Sequence, residues 1–186
     1  MKNIRLGNRA ACPDLLRQRG ASLLEGVAYL GIAAIVILGA VSLMTSAFSS
    51  AKSNRGMEEV SAIRTGVMKM YVGQANSYPA QMNAALAQAG VFPNTLNVTD
   101  AAAGTVKNSW GGDVAVTGSG STFTITYSAV PQDTCTSMVS GASGWSSISQ
   151  TGGASNSYPF PISPTNAAAI CSVAGNAGNS IDFVSQ

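Results

Sequence analysis

One carboxylate, Glu25, stands at the edge of an uncharged stretch that runs from Gly26 to Ala51. An ionised carboxylate costs several kcal/mol in hydrocarbon, so an apolar segment that carries one requires a neutralising partner. A second pair able to do chemistry is Cys135 and Cys171, set in a region rich in Ser, Thr, Asn and Gly. That composition looks extracytoplasmic, and a disulfide is the natural reading, with two free thiols as the alternative. Closing such a loop stabilises a fold by about 4 kcal/mol in the chain-entropy account. The third cysteine, Cys12, lies in the basic segment before Gly20.

Other chemistry lacks its residues. The chain has no histidine, which removes Ser-His-Asp and Cys-His nucleophilic arrangements and histidine-containing metal sites. No Gly-rich phosphate loop ending in Gly-Lys-Ser/Thr occurs either. Asp113, Asp133 and Asp182 are scattered singly and are expected to cap or solvate. Gly118-Ser119-Gly120-Ser121 reads as a turn. We therefore expect no enzyme activity, no cofactor and no metal. Trp110, Trp145, Tyr158 and Phe160 are expected to fill the core of a small domain, although exposed they would suit a binding surface.

The elements that must position Glu25 and the cysteines follow from composition and periodicity. Of the 186 residues, 46% are hydrophobic and only 10% charged, against about 25% charged in an average soluble domain. Membrane or protein must cover part of this surface. The net charge of +2 averages two unlike pieces. Lys2, Arg5, Arg9, Arg17 and Arg19 face only Asp14 before Gly20, whereas carboxylates outnumber cations beyond it. No Lys/Arg cluster follows residue 20, so nucleic acid is not an expected partner.

The leader, residues 1–20, is basic, contains Pro13 and lacks the apolar run of an ordinary signal peptide. The apolar run follows it instead, and as a helix residues 26–51 would span roughly 39 Å, longer than a bilayer core of about 30 Å. With Arg17 and Arg19 on the cytoplasmic flank, this segment crosses or enters a membrane whether or not the leader is removed. No proline occurs between Ala21 and Tyr78. After Ala51 the apolar positions narrow to Val60, Ile63, Val67 and Met70, with Arg55, Glu58, Glu59, Arg64 and Lys69 between them, an amphipathic pattern. We read one helix from Leu23 to Gln74. Gly31, Ala33, Ala34, Gly39 and Ala40 permit close helix approach, and Gly56 and Gly66 are expected at flexible turns.

Beyond Tyr78-Pro79 the pattern is α+β. Residues 81–89 read as a short helix stopped by Gly90, and 113–117 with 122–127 as an antiparallel hairpin. A helix through Cys135 is expected with Asp133 as N-cap. Another is expected after Ser163-Pro164, carrying Ala167 to Val173, and residues 181–184 read as a last strand.

These features together resemble a type IV prepilin. The resemblance is carried by the basic leader ending in Gly20, by Ala21-Ser22-Leu23-Leu24-Glu25 with its acid fifth in the mature chain, and by the apolar helix passing into an amphipathic one. The paired C-terminal cysteines fit as well. Leader length and the Leu-Leu-Glu core look like the type IVb branch, and Met68 to Gln74 and Trp110-Gly111-Gly112 are similar to bundle-forming pilins. In place of the family's usual bulky first residue this chain has Ala21, which leaves its N-methylation open.

The resemblance implies a long N-terminal α-helix, half membranous and half amphipathic, packed on a small antiparallel sheet with a C-terminal disulfide-bounded region. It implies a leader (1–20), a membrane and filament-core helix (21–51), an amphipathic continuation (52–75) and an extracytoplasmic globular domain (76–186). A prepilin peptidase would cut between Gly20 and Ala21 while the helix sits in the inner membrane. The new Ala21 ammonium would then pair with Glu25 of a neighbour as inner-membrane machinery builds an extracellular self-polymer for adhesion, aggregation or conjugative contact. A minor pilin, a secretion pseudopilin and a membrane-anchored binding protein are the alternatives.

Overall fold

A computed structural model describes residues 22–74, 77–151, 157–174 and 178–186. The chain divides into two compact units, residues 1–43 and 44–186. Among the described residues of the first, the apolar part of helix α1 (Leu23–Met70) exposes every large side chain from Leu23 to Leu43. It is the one described helix long and apolar enough to cross a membrane. Its start is fixed by Ser22, whose Oγ accepts from the Glu25 backbone N–H at 3.2 Å, the serine half of a Ser-x-x-Glu capping box.

In the second unit α1 becomes one-sided. Ser53, Gly56, Glu59, Val60, Ile63 and Val67 are its buried positions, at helical spacing along one stripe. Two details differ from the sequence expectation. Met70 stays 40% exposed, while Glu59, expected among the solvent-facing charges, is 2% exposed. The helix also ends at Met70 rather than Gln74, and Gly73 turns the chain with φ of 85°. Gly56 and Gly66 are not turns. A Cβ on Gly56 would stand 2.9 Å from the Met138 thioether, and one on Gly66 would strike Val91, so these glycines are where the rest of the unit touches the helix.

Helix α2 (Asn83–Gln88) is stopped by Gly90, whose φ of 68° is the left-handed value that ends a helix. A small ribbon follows, β1 (Asn97–Asp100) against β2 (Thr105–Lys107). The main sheet has five antiparallel strands in the order β3-β4-β7-β5-β6, from β3 (Val114–Ser119), β4 (Thr122–Val130), β5 (Ser147–Gln150), β6 (Ser157–Pro159) and β7 (Asn179–Ser185). The expected hairpin is β3–β4, its turn centred on Gly120 at φ of 63°. Alternation in β4 and β7 sends Phe123, Ile125, Tyr127, Ile181 and Phe183 into one core with Val60, Ile63 and Val67 of α1.

Helices α3 (Gln132–Gly141) and α4 (Pro164–Ile170) flank the sheet. Ser163 caps α4 as expected, its Oγ accepting from Asn166 N at 3.2 Å with proline in the first turn. Cys171 is the residue after α4, not inside it. For α3 the cap is Pro131, and Asp133 sits one step into the first turn, where its charge meets the positive end of the helix.

Candidate functional site

The expected processing residues Gly20 and Ala21 lie outside the described residues, as does Cys12. Glu25 is described and exposed, in the first turn of α1 beside Leu23 and Leu24, which are 88% and 82% exposed. Its backbone amide is used by Ser22. Helix start, carboxylate and apolar flank are therefore one local unit.

The globular unit holds the other candidate residues. Cys135 of α3 and Cys171 after α4 form a disulfide with Cα atoms 5.8 Å apart. Both are fully buried, so the bridge ties the two flanking helices from inside the core. Ser49 of α1 donates to Asp133 Oδ2. That hydroxyl, followed by the Thr134 N–H, holds the Asp133 carboxyl below its ordinary range. Arg64 Nε donates to Ser185 Oγ at 2.9 Å, and its guanidinium lies 5.1 Å from the centre of the Trp145 ring, joining helix to last strand.

The least expected polar group is Glu59. Its Oε2 accepts from the Tyr127 hydroxyl at 3.2 Å, while Oε1, like the Ser53 Oγ elsewhere on the same helix, is buried with no partner among the described residues. Burial first, then the charge of Glu59, pushes the Tyr127 phenol far above its usual value. Asp113 pairs with Lys107 at 2.7 Å, and Asp182 Oδ1 accepts from Thr126 at 2.7 Å and Thr151 at 2.8 Å. These carboxylates stitch strands together. The described residues contain no group of three or more Cys, Asp or Glu able to hold a metal.

Three asparagines that no motif singles out do similar work. Asn83 donates to Gly104 O at 2.9 Å and Val114 O at 2.8 Å and accepts from Val116 N at 2.6 Å, fastening α2 to β3. Asn108 accepts from Trp110 N at 3.0 Å and Gly112 N at 2.9 Å, which explains the Trp110-Gly111-Gly112 turn, and Gly112 has no room for a Cβ beside Ser128. Asn179 bonds both polar atoms of Val173, at 2.9 and 3.0 Å. Among the aromatic candidates Trp145 is buried, Trp110 and Tyr158 pack half-buried on the core, and Phe160 is half-buried outside it.

Residues 50–186 match the family described as PilS N terminal. The chain belongs to that family. Among solved structures it is similar to a type IVb pilin from Salmonella typhi, with 28% identity over 68% of this chain and 95% of that one and a TM-score of 0.55. It is also similar to TcpA, a type IV pilin from the Vibrio cholerae El Tor biotype, at 13% identity, covering 73% of this chain and 99% of that one with a TM-score of 0.49. No curated protein matches the chain in sequence. The pilin has the type IV fold, an N-terminal helix with an antiparallel sheet and the Cys135–Cys171 bridge. Its family is one of self-polymerising structural proteins and is not known for enzymes.

Proposed function

We propose that this pilin is the structural subunit of a type IVb pilus, made as a precursor that a prepilin peptidase cuts between Gly20 and Ala21. In this reading residues 21–51 sit first in the inner membrane and then in the filament core, the segment 52–75, helical to Met70, leads into the head, and residues 76–186 form the exposed domain. Assembly machinery of the inner membrane extracts each subunit into an extracellular filament that serves adhesion, aggregation or mating contact.

The observation that carries the reading is the row of exposed apolar side chains from Leu23 to Phe48, 54% to 88% exposed, on a family member whose head is closed by a disulfide. Each CH₂ left in water costs on the order of 0.8 kcal/mol, so such a helix needs lipid or sibling helices around it. A polymer supplies the siblings, by an open helical contact between two different faces of each subunit. Glu25 then needs a cation in that core, and the Ala21 ammonium of a neighbour would provide it.

N-terminal sequencing and intact mass measurement of sheared surface filaments test this. A chain beginning at Ala21 and dominating the filament mass is expected. Retention of residues 1–20 on a monomeric membrane species defeats the proposal.

A further inference from the structure

Beside Glu59 the surface opens into a cleft of about 150 Å³ walled by Arg55, Glu58, Glu59, Ala62, Pro93 and Thr95. Glu59 is 2% exposed and its Oε1 has no donor among the described residues, although a buried carboxylate with one neutral hydrogen bond is poorly compensated. Arg55 and Glu58 at the rim are exposed, and neither takes part in the ion pair found among the described residues, Lys107–Asp113. Arg55 precedes Glu59 by four residues on the same helix, the less favourable order for an ion pair within one helix. A cation and a buried carboxylate thus share one cleft without joining.

We propose that the donor missing from Glu59 is Arg55 of a second copy, inserted through this cleft when subunits pack side by side; the inference rests on the filament reading. Two parallel copies of α1 displaced by four residues, about 6 Å along the axis, bring Arg55 of one level with Glu59 of the other. Helices packed 8–10 Å apart leave an arginine ample reach. The planar guanidinium suits a carboxylate with one free oxygen and adds the charge that Tyr127 cannot.

Filament yield from Arg55→Ala, and from Arg55→Ala combined with Glu59→Gln, is the test. At least a tenfold loss of sheared filaments at unchanged subunit level is expected for Arg55→Ala, and recovery of most of that loss in the double variant, because the neutral amide no longer needs a cation. Undiminished filaments from Arg55→Ala, or a double variant no better than Arg55→Ala, overturn the inference and leave the pilus reading standing. Absence of the chain from any surface filament defeats both.

Discussion

The Tyr127 hydroxyl reaches across the core to Glu59 Oε2 at 3.2 Å, a bond between strand β4, which lies between β3 and β7, and a charged residue on the inner face of α1. Both residues are essentially buried, at 0% and 2% exposure, so the bond fixes which turn of the helix lies over which strand. Tyr127→Phe leaves both carboxylate oxygens without a protein donor. We expect a loss of about 2–3 kcal/mol, the cost of stranding a buried polar group, measured by urea unfolding of the detergent-solubilised chain.

The same contact sets an alkaline limit. Because the Tyr127 phenol is raised in the folded state by burial and by Glu59, the folded chain holds its proton after an unfolded tyrosine has released it near pH 10. The unfolded state then binds fewer protons, so stability is full below about pH 10 and falls as pH rises above it. Absorbance titration should show the Tyr127 phenol still protonated above about pH 10 in the folded chain, and Tyr127→Phe should flatten the alkaline fall in stability.

Asp133 works in the opposite direction. Its carboxyl is lowered by the Ser49 hydroxyl and then by the Thr134 amide, so its contribution is present above the unfolded value near 3.8 and is lost as pH falls through the lower folded value. The group is mostly solvated and the contribution is correspondingly small. Carboxyl carbon shifts followed by NMR should place the Asp133 titration below that of the unfolded chain, and Ser49→Ala should move it upward.

Much of this architecture was legible because period reports burial directly. The stripe Val60, Ile63, Val67 and the alternation in 122–127 each have one apolar face, and Ser163-Pro164 states a helix start in two residues. The rest failed for physical reasons. Ser147–Gln150 and Ser157–Pro159 are short and rich in serine, and become strands because β7 offers an edge to the first and the first offers its other edge to the second. Glu59 reads as a surface charge until Tyr127, 68 residues away, is placed beneath it. Gly56 and Gly66 look like weak points in a helix, yet what they accommodate, Met138 and Val91, comes from distant elements. For the candidate site, Glu25 and the cysteine pair stood out by residue type, and Ser22-Leu23-Leu24-Glu25 also carries the spacing of a capping box, whose Ser22 half the backbone hydrogen bond shows.

Those two glycines give a prediction of sign. In an open helix Gly→Ala stabilises by up to about 1 kcal/mol. At Gly66 the added methyl meets Val91, and at Gly56 it meets Met138 and Trp110, so overpacking of about 1–3 kcal/mol wins. Gly66→Ala should lower the thermal midpoint, and the double variant Gly66→Ala/Val91→Ala should recover part of the loss.

Glu25 has two candidate roles, and they separate cleanly. As the third residue of the helix it helps start α1 with Ser22, and a lost cap costs about 1 kcal/mol. As the proposed mate of the Ala21 ammonium it neutralises a charge inside the filament, where an unpaired carboxylate costs 3–5 kcal/mol. Ser22→Ala removes the cap and keeps the charge, so filaments should form at near wild-type yield. Glu25→Gln keeps the helix start and removes the charge, so the leader should still be cut while filament yield collapses. Equal, mild effects from both variants, read by filament yield and by the mass of the mature chain, would leave the Glu25 carboxylate without a part in assembly.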